Sequence, residues 1–343
     1  MKIFDGHNDM LTKMYHSKNP SGFATGLSGH IDKSKLAAGG MVGGFFAIWV
    51  PSQGDLAALT AEMRKDVYDL PLPPRIGLQE AQEVALEQAE YLIKLRDTGN
   101  LSICTYTKDI RSCVSEGKTA AILHLEGAEP IDPDFAMLDR LYDLGLRSLG
   151  PVWSRPTLFG EGVPFRYPSS PDTGAGLSTL GVQLIERCNA KRIAIDLSHI
   201  TEAGFWDVTR VSQAPLIATH SNAHAICPHS RNLTDEQLRA IGETGGVAGL
   251  NFATAMVRPD GKMLPEVGLD VMLAHLDHMM AQAGTESVAL GSDFDGAIVP
   301  AAIKDASGLP HLVAAMEHHG YSQDLIEKIC FENWMRVLDA TWR

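Results

Sequence analysis

Five stretches of this sequence end an apolar run with histidine, aspartate or glutamate, the residue types that hold cations. The first is Asp5-Gly6-His7-Asn8-Asp9. Side chains alternate along a strand, so His7 and Asp9 point the same way and could grip one cation together. The second, His124-Leu125-Glu126-Gly127, leaves a carboxylate after an apolar run, where burial is costly without a partner or a metal. Ile195-Asp196-Leu197-Ser198-His199 and Ala218-Thr219-His220-Ser221-Asn222 each deliver a histidine, and Leu290-Gly291-Ser292-Asp293-Phe294-Asp295-Gly296 delivers an aspartate. Each has an ordinary explanation when taken alone. His-x-Asp is usually a turn, Glu126 could emerge into solvent, and one histidine after a strand is usually structural. The Asp-Phe-Asp-Gly run lacks the other ligand positions of a calcium loop. His124 reads as a hydrogen-bonded neighbour of Glu126 rather than a ligand.

The recurrence carries the argument. Neutral imidazole with carboxylate is the usual donor set of catalytic zinc. His7, Asp9 and one oxygen of Glu126 give a first ion three ligands; the other Glu126 oxygen, His199 and His220 give a second ion three. A shared hydroxide would complete both shells, and two ions about 3.5–4 Å apart can activate that water and polarise a carbonyl together. Asp293 is left to take the proton and deliver it to a leaving amine, and Glu126 and Asp293 are the expected catalytic pair.

These residues must meet, which requires strands whose ends converge. Eight short apolar or β-branched segments qualify: Lys2–Gly6, Gly43–Val50, Ala120–Leu125, Arg147–Trp153, Arg192–Ser198, Pro215–Thr219, Gly246–Phe252 and Ser287–Ser292. Most are near-continuous apolar runs, as strands covered on both faces read. Helical periodicity lies between them, at Gln79–Arg96, Thr179–Arg187 and Asp270–Met280. Ser322 is placed to cap a last helix burying Leu325, Ile326, Ile329, Trp334, Val337 and Leu338. The expectation is an α/β fold, a (β/α)8 TIM-type barrel forming one domain over residues 1–343, with its active site at the C-terminal strand ends. An open doubly wound sheet fits less well, because no Gly-x-Gly-x-x-Gly turn follows an early strand. Ser52–Thr119 reads as mostly helical, whereas the Pro/Gly-rich Ser154–Asp172 has no periodicity and is either a binding loop or a surface excursion.

Composition narrows the partners. Forty-two acidic against 29 basic residues give a net charge of −13, which disfavours nucleic acid, since that binding rests on clustered Lys and Arg. The longest apolar run, Gly39–Val50, is shorter than the ~20 residues a bilayer span needs. Neither a secretory leader nor a lipid-anchor tail is expected. Five scattered cysteines without Cys-x-x-Cys spacing suit buried thiols in a reducing compartment, so a cytoplasmic location is expected.

In order and spacing these motifs resemble the renal (membrane) dipeptidase family, zinc peptidases of the amidohydrolase superfamily. The resemblance spans nearly the whole chain. It includes Asp5–Asp9, Glu126-Gly127, Ile195–His199 and His220-Ser221-Asn222 leading through Cys227 to Arg231-Asn232. It continues with Gly291–Gly296 and a terminal Glu332-Asn333-Trp334-Met335-Arg336-Val337. It implies a zinc-dependent dipeptidase with two zinc ions per chain: His7 and Asp9 on one, His199 and His220 on the other, and Glu126 bridging. Asp293 matches the proton-handling residue, and Arg231 matches the arginine that pairs with the dipeptide's C-terminal carboxylate. One departure concerns a substrate-contacting histidine of renal-type members, whose place is held here by Trp153. An indole offers one N–H and no positive charge. The oxyanion would then lean on the metal, on Arg155 or on another loop group. His224, where relatives often carry arginine, reads as a supporting or surface residue.

Two other readings compete with a dipeptidase. One is a different binuclear-metal amidohydrolase acting on N-acyl amino acids or lactams; the other is a catalytically silent barrel. The expected partner is a small dipeptide, with neither nucleic acid nor membrane, and a homodimer is left open.

Overall fold

All eight apolar segments form strands, because residues apolar on both faces are stable only between two covering layers. They are β1 (Ile3–Asn8), β2 (Met41–Trp49), β3 (Ala120–Glu126), β4 (Leu146–Gly150), β5 (Ala194–Ile195), β6 (Ile217–Ala218), β7 (Val247–Asn251) and β8 (Val288–Gly291). The computed structural model describes residues 1–19, 21–26, 28–52 and 56–343. Neighbouring strands pair in parallel from β1 to β5 and from β6 to β8. Two single bridges, Asp196 with Ile217 and Asn8 with Phe294, join these arcs into a ring. At the second seam the Asp293 N–H donates to the His7 carbonyl (3.0 Å) and the Asp9 N–H to the Phe294 carbonyl (2.8 Å). The fold is the expected parallel barrel.

Register sets the heights of the strand tips. Trp49 pairs with Glu126, and Glu126 with Gly150, so three neighbouring strands end level. On β1 the register shifts between Asp5 and Asn8, an irregularity that re-aims side chains where the strand delivers His7. Strict alternation is therefore not what sets the direction of His7.

The opposite end of the barrel is plugged. Phe4, Phe45, Ile122, Ala194, Ile217, Val247 and Ala289 pack with Phe331, Trp334 and Met335 from the C-terminal segment. Ser322 caps that segment, accepting from the Leu325 N–H at 3.2 Å, as its position suggested. The helix is not continuous: a π turn over Lys328–Glu332 separates Gln323–Glu327 from Asn333–Trp342. Trp334 is fully buried and its indole N–H donates to the Leu290 carbonyl at 2.9 Å. Trp334→Ala opens a void beneath β8 and removes that hydrogen bond; a loss of about 3–5 kcal/mol is expected, read as a lowered urea midpoint.

Of the two long connections, the first is mostly helical, as its pattern indicated, and the second holds a short strand that no periodicity marked. Residues 52–119 carry helices Leu56–Glu62, Leu78–Asp97 and Thr107–Ser115, while residues 53–55 lie outside the described residues. From the longest of these, buried Gln88 donates to the Trp49 carbonyl (2.6 Å) and accepts from its N–H (3.2 Å), pinning the tip of β2. Within Ser154–Asp172, Arg166–Tyr167 pairs antiparallel with Tyr68–Asp69, tying the loop across the barrel mouth. The five cysteines are buried free thiols. Among the described residues no helix is long and apolar enough to cross a membrane.

Candidate metal centre

The strand tips bring His7, Asp9, Glu126, His199, His220 and Asp293 to one mouth of the barrel. The first five are at most 5% exposed, and Asp293 is half-buried. Glu126 is the hub. Its Oε1 lies 2.9 Å from His199 Nε2, 3.5 Å from His220 Nε2 and 3.6 Å from His7 Nε2. His7 Nε2 is also 3.4 Å from Asp9 Oδ2, and the two facing nitrogens of His199 and His220 are 3.1 Å apart. A single Glu126 oxygen thus faces all three imidazoles, whereas the sequence had suggested one oxygen for each half of the site.

Hydroxyl groups hold the far side of two rings. His199 Nδ1 meets Ser154 Oγ at 3.0 Å and His220 Nδ1 meets Thr219 Oγ1 at 2.8 Å, which leaves both Nε2 atoms aimed inward. His7 differs, because both of its ring nitrogens are buried without a hydrogen-bond partner. His124 Nδ1 meets Ser148 Oγ at 2.9 Å rather than Glu126, and its Nε2, 3.5 Å from Asp196 Oδ2, lies within ligating distance of His7 and Asp196.

The electrostatics are those of a site built for positive charge. Burial pushes the Glu126 carboxyl far above its usual range, and the neighbouring carboxylates of Asp9 and Asp293 add to this against the pull of His7. Burial opposes charge on His7, yet the carboxylates of Glu126, Asp9 and Asp293 outweigh it and lift the imidazole to about 10. His199 and His220 are held well below the usual histidine range, first by burial and then by Arg231 and His7. Three crowded carboxylates, two neutral imidazoles with converging nitrogens and a third with unpaired nitrogens fit divalent cations. His7, Glu126 and His220 form one group within ligating distance of each other; His7, Asp9 and Asp293 form another.

Asp293 sits in the left-handed region (φ 57°), as does Asp295 (φ 69°), a conformation aspartate tolerates better than most residues. Its Oδ2 accepts from Asn251 Nδ2 at 3.1 Å. Gly296 makes the turn fit: a Cβ there would stand 2.2 Å from Asp9 Oδ2 and 2.3 Å from Asp293 Oδ1. Asn251 escaped the sequence reading although it ends an apolar strand, which was the available signal.

Arg231 is 3% exposed and reaches the same cavity, with Nη2 donating to the His220 carbonyl at 3.2 Å and Nε unpaired. Burial pulls it down to about 10 against the nearby carboxylates of Asp293 and Glu126, so it stays charged at neutral pH. Trp153 lies over the centre, its ring 5.9 Å from His199, 5.1 Å from Trp49 and 5.7 Å from Phe165. With Met63, Met256 and Met263 these rings wall a cavity of about 210 Å³ above a floor of Asp9, Glu126, His199, Arg231 and Asp293. Met63 is far in sequence from Met256 and Met263, and no local pattern marked them. Arg155 is not available to a substrate: it is fully buried, bound to Glu129 Oε1 (3.0 Å), the Val50 carbonyl (3.0 Å) and Ser52 Oγ (2.7 Å). His224 meets the Ser169 carbonyl at 2.9 Å, in keeping with a supporting place.

The model of the membrane dipeptidase family (peptidase family M19) matches residues 1–342. The chain belongs to that family. Among solved structures, this membrane dipeptidase family member superposes with a TM-score of 0.98 on a metallopeptidase from Rhodobacter sphaeroides liganded with a phosphinate mimic of the dipeptide L-Ala-D-Ala. The two are 48% identical, covering 100% of this chain and 99% of the other. It also matches the family M19 metallopeptidase called dipeptidase AC at 48% identity and a TM-score of 0.97, covering 100% and 99%. A curated relative, an uncharacterized protein in the PQQ-III 3′ region of Acinetobacter calcoaceticus, is 40% identical over 283 residues, which is 81% of this chain and 89% of that protein.

Proposed function

We propose that this member of the membrane dipeptidase family hydrolyses unblocked dipeptides with two zinc ions held by His7, Asp9, Glu126, His199 and His220, Glu126 being shared. The observation that carries this reading is the convergence of three imidazoles on Glu126 Oε1, within 2.9–3.6 Å, beside a buried Arg231. The family's metallopeptidase neighbours support a metal cofactor. When bound, the ions supply Lewis acidity toward the peptide carbonyl and make water nucleophilic at neutral pH.

The protein's own groups do the rest. Arg231 presents a charged fork with an unpaired Nε–H, and the dipeptide's terminal carboxylate satisfies it. The ligand of the Rhodobacter sphaeroides enzyme, a mimic of L-Ala-D-Ala, supports a dipeptide as the occupant of this cavity. Trp153, Trp49 and Phe165 cover the scissile bond and keep bulk water out. Asp293, steadied by Asn251, accepts the proton of the attacking water as the C–O bond forms and passes it to the amine nitrogen as the C–N bond breaks. Two free amino acids result.

Arg231→Lys keeps the charge but loses the fork. It is expected to raise KM about tenfold or more with a smaller change in kcat, measured by steady-state hydrolysis of one good dipeptide. The reading as a whole is tested by a panel of L,L and L,D dipeptides alongside their N-acetylated forms. Cleavage confined to the free-amine substrates is expected. Cleavage of the acetylated forms alone would assign the site to deacylation, and no cleavage of any dipeptide would overturn the proposal.

A further inference from the structure

Asp196 takes no part in the hydrolysis described above, yet it is 4% exposed and heavily partnered. Its Oδ1 accepts from the N–H groups of Thr219 (2.8 Å) and Ser198 (3.1 Å) and from the Ser198 hydroxyl (2.6 Å). Its Oδ2 lies 2.7 Å from Thr219 Oγ1. Thr219 Oγ1 is in turn 2.8 Å from His220 Nδ1. We propose that Asp196 is a positioning residue that, through Thr219, fixes the imidazole tautomer in which His220 can ligate a metal. This rests on the reading of His220 as a ligand.

The hydrogens can be counted. Thr219 has one hydroxyl hydrogen and three neighbours: Asp196 Oδ2 at 2.7 Å, His220 Nδ1 at 2.8 Å and Ser198 Oγ at 3.2 Å. The carboxylate is the strongest acceptor and takes it. The contact with His220 is then a hydrogen bond only if Nδ1 carries the imidazole proton and donates to Thr219 Oγ1. The lone pair is left on Nε2, the atom 3.5 Å from Glu126 Oε1 and 3.1 Å from His199 Nε2. Ser154, the counterpart behind His199, has no carboxylate bound to it among the described residues, so this device belongs to His220.

Asp196→Asn reverses the chain without changing its shape. Three donors hold the oxygen of the new amide at the Oδ1 place, so its NH2 faces Thr219 and donates to it. The threonine hydrogen then turns to His220 Nδ1, a nearer and stronger acceptor than Ser198 Oγ, which drives the ring proton to Nε2, where it blocks ligation. The test is the two-bond 1H–15N correlation spectrum of histidine-labelled, metal-free protein, together with zinc affinity by chelator competition. Expected are an Nδ1–H tautomer for His220 in the unmodified protein and an Nε2–H tautomer in D196N. Zinc affinity should fall about 10–100-fold in D196N. Thr219→Ser keeps both properties and Thr219→Val loses the tautomer preference, so the relay remains testable should D196N fold poorly. An unchanged His220 tautomer in D196N, or undiminished zinc affinity in both D196N and T219V, overturns the inference. His220→Ala separates the two levels: zinc loss there with none in D196N and T219V sinks only the relay, whereas full zinc affinity in His220→Ala removes the ligand assignment and the relay with it.

Discussion

Glu126→Gln lowers kcat/KM by roughly four orders of magnitude, about 5.5 kcal/mol of transition-state stabilisation, and strips metal from the purified protein. Among the described residues no other side chain faces as many of the site's nitrogens: Oε1 stands within 3.6 Å of His7, His199 and His220. A glutamine amide has the same shape but puts either a neutral oxygen or an N–H donor at that point, and an N–H cannot share a ligand sphere with a cation. The loss is therefore electrostatic rather than steric, and the circular dichroism spectrum should be unchanged. Metal content by mass spectrometry and hydrolysis of a free dipeptide read the two effects together. A variant that keeps its metal and most of its activity would remove Glu126 from the centre.

Asp293→Asn separates chemistry from metal binding. The substitution preserves the volume and the backbone turn at φ 57°, which asparagine tolerates as readily as aspartate. It removes the only atoms proposed to carry the proton from water to the leaving nitrogen, so kcat is expected to fall about 10²–10⁴-fold with metal content near that of the unmodified enzyme. The metal measurement has bite here because Asp293 also lies within ligating distance of His7 and Asp9. If metal is lost along with activity, Asp293 is a ligand and the proton carrier must be sought elsewhere.

The barrel was legible because burial on both faces writes itself locally. Val247–Asn251 and Val288–Gly291, for example, are short apolar runs that need no knowledge of their neighbours. The polar residues ending those runs were legible for the same reason, a charge standing where the pattern calls for an apolar residue. What stayed hidden was non-local. Tyr68 pairs with Tyr167 across almost one hundred positions, and the cavity wall collects Trp49, Met63, Phe165, Met256 and Met263 from separate segments of the chain. Asp196 lies within the Ile195–His199 motif, yet its meaning depends on a threonine hydroxyl 23 positions away. Arg155, suggested from sequence as a support for the oxyanion, is committed instead to the buried Glu129, a pairing only the fold reveals.

Diffraction from zinc-loaded crystals, recorded on both sides of the zinc absorption edge, tests the central claim most directly. The account predicts two anomalous peaks flanking Glu126, one beside His7 and Asp9 and the other beside His199 and His220. Zinc bound away from these strand tips, or a lone peak that does not touch Glu126, would contradict it.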